Sequence, residues 1–423
     1  MSKKVPVKTI LLVVCVAAMF ASCARLRPAP PLPVGTLEYK LEPGMRRNFA
    51  YVGSSTIQLS QRPDKTLASE PTYMSKEPLY GTIKLGASEP TSYVFAIDES
   101  KGTRSGLDTL CVDANNNGNL ADDAKIAPKP IQGGGAAQFP PVELAVTSDG
   151  RPYPYHLEVH CCGSSRDHVH VYPGAYCEGE ISFGDKTHKI ALFDDNCNGT
   201  FNDPYAVPEN YGRDGPVYAR GDTLVIDLDG DGKLSKEYND TAEMFHLGNY
   251  MSFGDRCYRV DIAPSGNSMI FQEADVPCGY IAVDAKRHSV ELLGDDGALK
   301  LSGSDPREKA PAGEYRIAAC SFEREDEQGA LWRIVGRGDW SQRAIEVNAD
   351  EKTALKVGPP LTAEVTVSKE GNSIALGLDV KGQSGETYST RDFQKAGEGV
   401  PAPRFEVRTK KGETIARGQF EYG

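Results

Sequence analysis

A loop pattern rich in Asp and Asn occurs three times in this chain, each time after a short apolar run typical of a β-strand. An aspartate at position one is followed by Asp or Asn at positions three and five, glycine at position six, and Leu or Phe at position eight. Side chains at alternate loop positions can converge on one point, and glycine permits the sharp turn that a side chain would obstruct. The copies begin at Asp113, Asp194 and Asp227. The chain is therefore expected to build strands that end in compact polar loops.

The oxygen atoms of these loops match the ligands that calcium prefers, with carboxylates or amides at positions one, three and five, the carbonyl of position seven, and a later acid. The sequence therefore predicts calcium as the cofactor. Three aspartates and Glu237 make loop three the most charged copy, so it is expected to bind its ion most tightly. The candidate ligands are Asp113, Asn115, Asn117, Asn119 and Asp122 or Asp123 in loop one (residues 113–123), Asp194, Asn196, Asn198, Thr200 and Asp203 in loop two (residues 194–203), and Asp227, Asp229, Asp231, Lys233 and Glu237 in loop three (residues 227–237).

The loop motif resembles the calcium loops of EF-hands, dockerins and thrombospondin-type repeats. It departs from an EF-hand in two ways. The segments before the loops, LDTLCV, KIALF and TLVI, are typical of strands rather than helices, and the closing acid falls at position ten or eleven instead of twelve. Fixed loops that extend from a sheet and hold structural ions are therefore expected, rather than a helix-loop-helix sensor.

Most of the mature chain also resembles uncharacterised families of exported bacterial lipoproteins. These combine loops similar to "YVDANGNG" with a β-sandwich that ends in a strand similar to GQFEYG, which occurs here at residues 418–423. The resemblance implies an exported β-sandwich protein and supplies no activity.

Short apolar or alternating runs bounded by Gly, Pro, Ser and Asp predict a mainly β fold. A β-rich domain carries the three loops, and a C-terminal immunoglobulin-like or fibronectin-like sandwich follows. The segments SFGDKTHKI (182–190) and SFGDRCYRV (252–260) repeat one hairpin pattern within the β-rich domain.

The predicted division of the chain is a signal peptide (1–22), a lipidated cysteine with a Pro-rich tether and a weakly patterned segment (23–75), the β-rich domain (76–276), connecting strands (277–310) and the sandwich (311–423).

The N-terminus predicts export and a lipid anchor. Lysines at positions 3, 4 and 8 precede an apolar run over residues 9–20, which is too short to span a bilayer and suits a signal peptide. Phe20-Ala21-Ser22-Cys23 resembles a lipobox, so Cys23 is the expected lipidation site, with simple secretion as the alternative. Ala24 favours the outer membrane in a host that has one. The expected location is the cell envelope, with the membrane as a partner.

The charge of the chain argues against nucleic-acid binding. The net charge is -12, and removal of residues 1–22, which contain three lysines and no acids, changes it to -15. Such a chain repels phosphate backbones, and no Lys/Arg cluster interrupts it. An unidentified protein or glycan ligand is compatible with this charge.

The cysteine count allows disulfides. Eight cysteines remain beyond Cys15 and Cys23, and in an oxidising compartment an even number permits up to four bridges, which the spacing alone cannot pair. The absence of a CxxC motif argues against a zinc ribbon. The eight are Cys111, Cys161, Cys162, Cys177, Cys197, Cys257, Cys278 and Cys320.

Two functions remain open from the sequence. The first is a non-catalytic, calcium-stabilised β scaffold used for binding, adhesion or envelope structure. The alternative is a surface metal-dependent or carbohydrate-active enzyme that uses a histidine-rich region, since imidazoles on paired strands could bind zinc or copper. A solvated polar strand face explains the same pattern, and no HExxH, GxSxG or SxxK motif occurs. The histidines concerned are His156, His160, His168 and His170.

Overall fold

The computed structural model describes the chain from residue 34 to residue 421 with several gaps. The predicted signal peptide, Cys23, the Pro-rich tether, Cys162 and Glu237 lie outside the described residues. Within this part of the chain, no helix is long and apolar enough to cross a membrane. The described ranges are 34–49, 52–87, 89–102, 106–129, 137–148, 150–161, 166–183, 186–206, 221–234, 243–253, 255–283, 285, 287–303, 307–338, 343–371 and 373–421.

The first part of the chain folds into strands with one short helix, α1 (Met45–Asn48). Its strands are β1 (Val34–Leu41), β2 (Ser55–Gln58), β3 (Leu79–Leu85), β4 (Thr91–Asp98), β5 (Thr109–Val112), β6 (Ala137–Gln138), β7 (Val142–Ser148), β8 (Arg151–Cys161), β9 (His168–Pro173), β10 (Ala175–Phe183), β11 (Lys186–Phe193), β12 (Thr223–Ile226), β13 (Met244–His246), β14 (Tyr250–Phe253), β15 (Arg256–Ile262) and β16 (Ser268–Glu273).

An eight-stranded antiparallel sheet organises this part, in the order β13-β12-β11-β10-β1-β16-β15-β14. Strand β1 lies in its middle, where Leu37 pairs with Gly179 of β10 and Gly35 pairs with Met269 of β16. The two repeated segments form the hairpins β10–β11 and β14–β15, one on each side of β1. Strands β2, β9, β8, β6 and β7 form a second sheet, and β3, β4 and β5 form a third.

The second part of the chain is also made of strands, with one 3₁₀ turn at Thr390–Asp392. Its strands are β17 (Cys278–Val283), β18 (Arg287–Gly294), β19 (Gly297–Gly303), β20 (Glu308–Pro311), β21 (Gly313–Glu325), β22 (Leu331–Arg337), β23 (Ile345–Val347), β24 (Lys352–Leu355), β25 (Thr362–Glu370), β26 (Ser373–Lys381), β27 (Thr387–Tyr388), β28 (Gln394–Lys395), β29 (Glu398–Gly399), β30 (Arg404–Arg408) and β31 (Thr414–Gln419).

The two largest hydrophobic cores in the described residues follow this division. The larger one draws on residues 37–271 and the second on residues 281–388. Residues 277–310, read from the sequence as connecting strands, supply β17 to β20, whose side chains Ile281, Val290 and Leu301 lie in the second core. The predicted mainly β, sandwich-like fold is confirmed, because antiparallel sheets account for nearly all the regular structure in the described residues.

The disulfide prediction is wrong for the cysteines that the structure describes. All seven are buried free thiols. The Cys111 thiol donates to the carbonyl of Leu120 at 3.3 Å, and the Cys197 thiol donates to that of Val171 at 3.4 Å. Cys111 and Cys197 therefore act as small apolar core residues whose sulfurs already have backbone partners.

Candidate metal centres

Each Asp/Asn loop begins where a strand ends. Loop one follows β5, loop two follows β11, and loop three follows β12. The apolar residue at position eight docks each loop on the protein, since Leu120 and Phe201 are fully buried and Leu234 is 7 % exposed. Thr223 at the start of β12 pairs with Phe193 at the end of β11, so loop two borders the start of β12 and loop three follows its end.

The aspartate at position one organises every loop in the same way. Its carboxylate accepts hydrogen bonds from the backbone N–H groups of positions five and six. In loop two, Asp194 accepts from Asn198 at 3.3 Å and from Gly199 at 2.7 Å. Asp113 and Asp227 accept the equivalent bonds in the other two loops at 2.9–3.1 Å. All three aspartates are buried, so the loops curl around a carboxylate that is shielded from water.

Positions three and five repeat a second shared pattern. The side chain at position three accepts from the backbone N–H of position five, and the side chain at position five accepts from the N–H of position seven. These bonds run through Asn115 and Asn117 in loop one, Asn196 and Asn198 in loop two, and Asp229 and Asp231 in loop three, at 2.7–3.0 Å. Glycine at position six has positive φ in each loop, with values of 78°, 84° and 77°. The side-chain oxygens are therefore held in place before any ion arrives.

Loop two is closed by Asp203, as the sequence predicted for its last ligand position. The Asp203 carboxylate accepts from the Asn198 amide and the Thr200 hydroxyl, each at 2.7 Å, and from the Asn196 amide at 3.3 Å. An amide can turn its oxygen instead of its nitrogen towards the loop centre. The four side chains can thus exchange mutual hydrogen bonds for bonds to a cation.

A further carboxylate, Asp222, stands beside loop two, and sequence reasoning missed it. One oxygen, Oδ2, accepts from the backbone N–H of Asp203 at 2.8 Å, while the buried Oδ1 has no hydrogen-bond partner. Burial and the charges of Asp194 and Asp203 raise the pKa of Asp222 above its usual range. A buried acceptor among like charges is costly unless a cation offsets it. This donor set therefore fits a calcium ion.

Loop one has the same kind of unpartnered acid. The Asn117 amide donates to Asp122 at 3.0 Å, whereas Oδ2 of Asp123 is buried and has no partner. Burial and the charges of Asp113 and Asp122 raise the pKa of Asp123. Both predicted closing acids thus lie at the loop, and Asp123 is the one with a free buried oxygen.

Loop three has the closest grouping of acids. The carboxylate oxygens of Asp227, Asp229 and Asp231 lie within 4.8 Å of one another. Two oxygens that each lie about 2.4 Å from one calcium ion are at most about 4.8 Å apart, so the spacing fits a shared ion. The ammonium of Lys233 pairs with Asp231 at 3.1 Å and partly neutralises the loop.

Glu243 completes the surroundings of loop three. It is 7 % exposed and accepts from the backbone N–H groups of Leu228 at 2.9 Å and Asp229 at 3.3 Å. It therefore braces the loop from the position directly before β13. No spacing rule links this residue to the loop, so the sequence offered no signal for it.

The histidine-rich region, which the sequence left open as either a metal site or a polar strand face, forms no group of three potential metal ligands within the described residues. Within the described ranges, Asp227, Asp229 and Asp231 are the only group of three potential ligands that meets the 4.8 Å limit. His160 and His170 are paired residues of β8 and β9. However, His160 bonds to Glu158 at 3.1 Å, and His156 lies 3.2 Å from the Tyr39 hydroxyl and 3.3 Å from Glu143. His168 lies 2.7 Å from Asp167. The histidines of this region thus make polar contacts with different residues, and the rings of His168 and His170 also contact each other.

The buried acids around loop two predict a pH dependence of the metal-free protein. Burial raises the pKa of Asp194 to about 7 and that of Asp195 to about 6. Between about pH 4 and pH 7 the folded chain keeps protons that the unfolded chain has released. The contribution of the two protonated carboxyl groups to the free energy of unfolding is complete below about pH 4 and is lost as the pH rises through 7. Urea unfolding of metal-free protein should give a lower free energy of unfolding at pH 8 than at pH 5.5. Equal values at the two pH values would contradict this prediction.

Comparison of the chain with protein-family models, curated proteins and solved structures gave no match. The geometry of the loops and of their surroundings is therefore the basis for a functional proposal.

Proposed function

We propose that this chain is a non-catalytic calcium-binding protein of the cell envelope, in which the three loops hold calcium and stabilise a β scaffold. The observation that carries the proposal is the carboxylate set of loop two. Asp194 and Asp222 are both fully buried next to Asp203, and one Asp222 oxygen is unpartnered. Buried like charges of this kind are stabilised by a bound cation.

The repetition of one hydrogen-bond pattern in three loops supports the same proposal. In each loop the position-one carboxylate is fixed by two backbone N–H groups, and the acids or amides at positions three and five are fixed by one each. Preorganised oxygen ligands lower the ordering cost of binding an ion. Hard oxygen donors without thiolates or imidazoles favour calcium over zinc or copper.

The surroundings also change the expected order of affinity among the loops. Charge count alone favoured loop three. Asp222 adds a carboxylate to loop two and Glu243 adds one to loop three, where Lys233 competes with the ion for Asp231. Because the competing lysine offsets one charge of loop three, we propose that loop two binds about as tightly as loop three despite its two asparagines.

Metal analysis of the purified chain tests the assignment of the loops. After equilibration with 1:1 calcium and zinc, the chain is expected to retain up to three calcium ions and no stoichiometric zinc. Each of the variants D113N, D194N and D227N is expected to lose one calcium, because each removes the position-one carboxylate. D379N changes an exposed aspartate on β26 and serves as the control. A chain without calcium, or variants that keep the wild-type count, would refute the assignment.

A lipid anchor at Cys23 would place this scaffold at the membrane surface. The proposed anchor rests on the lipobox-like sequence at residues 20–23. In such a location extracellular calcium sites typically bind at about 10⁻⁴ to 10⁻³ M, which suits permanently occupied structural ions. The role of calcium is therefore proposed to be stabilisation rather than signalling.

A further inference from the structure

A cavity of about 340 Å³ lies on the polar face of the sheet formed by β19, β18, β21 and β22. Side chains alternate along these strands, so Val290 and Ile334 enter the second core while their neighbours face the cavity. Strand β13 and residues 391–394 cover this face from above. The volume falls in the range of small-molecule sites, about 300–1,000 Å³.

The acidic residue Glu291 lines the cavity, and neighbouring side chains balance its negative charge. Its carboxylate bonds to Nδ1 of His246, and its partner across the sheet is Lys300. Burial raises the pKa of Glu291, but His246 and Lys300 outweigh burial and lower the pKa below its ordinary value. Lys300 also donates to the carbonyl of Met244 and lies 4.6 Å over the ring of Phe245. Glu291 is therefore a charged carboxylate with two cationic or donor partners of its own.

The lining of the cavity carries more positive than negative charge. It includes four cationic and two acidic side chains, although the whole chain has a net charge of -12. The charge of Lys300 already balances that of Glu291, and Arg333 already has an interaction partner within the protein. None of the ion pairs in the described part of the chain involves Arg337 or Arg391. These two arginines also border a second cavity of about 610 Å³, whose lining includes the acids Asp392 and Glu421. Their guanidinium groups thus stand at the junction of two adjoining spaces.

We propose that this cavity binds a small organic anion whose carboxylate or phosphate is held by Arg337 and Arg391. Guanidinium groups bind planar carboxylates and phosphates through paired N–H donors. Met244, Ala319 and Val335 offer apolar contact to the body of the ligand, and Ser289 and Ser321 offer hydroxyl groups. The cavity lining shares no residue with the three calcium loops, and the proposed anion binding does not depend on the proposed calcium function.

Calorimetric titration of the full chain in calcium buffer tests this site. The probes are naphthalene-2-carboxylate, 2-naphthyl phosphate and the uncharged naphthalene-2-carboxamide. At least one of the two anions is expected to bind about tenfold more tightly than the amide, because only the anions pair with the guanidinium groups. The tighter of the two anions identifies whether the site prefers a carboxylate or a phosphate.

Variants assign the binding to the two arginines. The double change R337A/R391A is expected to weaken binding of the preferred anion at least tenfold, with little effect on the amide. R343A removes an exposed arginine that does not line the cavity and should leave the affinity within about twofold. Circular dichroism of each variant checks that it is folded. Binding of neither anion above the amide, or an unchanged affinity of the folded double variant, would overturn the proposal.

Discussion

Removal of calcium is expected to lower the melting temperature of the full chain by about 5–30 °C. An ion that binds the folded state alone stabilises it by mass action. At 10 mM calcium and a typical extracellular affinity, each occupied site contributes about 1.4–2.7 kcal/mol. In a body of this size each kcal/mol shifts the melting temperature by about 2–4 °C. Two or three loops with ions therefore account for the expected range.

Differential scanning calorimetry in 10 mM calcium and in excess chelator measures this shift. The triple variant D113N/D194N/D227N provides the matched control, because it keeps the loop lengths but lacks all three position-one carboxylates. Its melting temperature should respond little to chelation. Magnesium should restore less stability than calcium, since it prefers a smaller and more rigid octahedral shell. A wild-type melting temperature that does not change with chelation would count decisively against structural calcium.

The shape of each loop could be predicted from the sequence because it is local. The alternation of Asp or Asn with glycine at position six fixes a tight turn within about a dozen residues. The structure has this turn in all three copies, each after a strand and with a buried apolar residue at position eight. The two hairpins are equally local, since each pairs neighbouring segments across a short turn.

The sequence pattern could not predict which strands pair with each other over long distances in the chain. Strand β1 inserts between β10 and β16, which follow it by more than a hundred residues. A strand pattern identifies which side chains share a face but not which strand lies alongside. Asp222 and Glu243 were missed for the same reason, because single acids reach loops two and three only through sheet pairing and not through a fixed spacing.

The cysteines illustrate a different limit. Their even number and the predicted export suggested disulfides, yet those described are buried and not bridged. Composition gives the number of possible bridges, whereas bridging requires two Cβ atoms within about 4.5 Å of each other in a suitable orientation. Burial in the core satisfies an apolar thiol without any bridge.

Replacement of Asp194 by asparagine is expected to have opposite effects with and without calcium. In calcium, D194N loses the position-one carboxylate of loop two and should be less stable than the wild type by about 1–3 kcal/mol. In chelator at pH 8, the wild type holds a buried charge next to Asp203 and Asp222 that burial disfavours. Asparagine removes that charge, so D194N should then equal or exceed the wild type in stability.

Urea unfolding at pH 8 in the two buffers measures this reversal. D194A separates charge from hydrogen bonding, because alanine also removes the acceptor for Asn198 and Gly199 and leaves two backbone N–H groups without a partner. It should be destabilised by about 2–5 kcal/mol in both buffers. D379N, at an exposed position of β26, should leave the stability unchanged in both buffers. If D194N were destabilised equally with and without calcium, the carboxylate would serve only to brace the loop. A reversal of sign instead ties the buried charge of loop two to a bound cation.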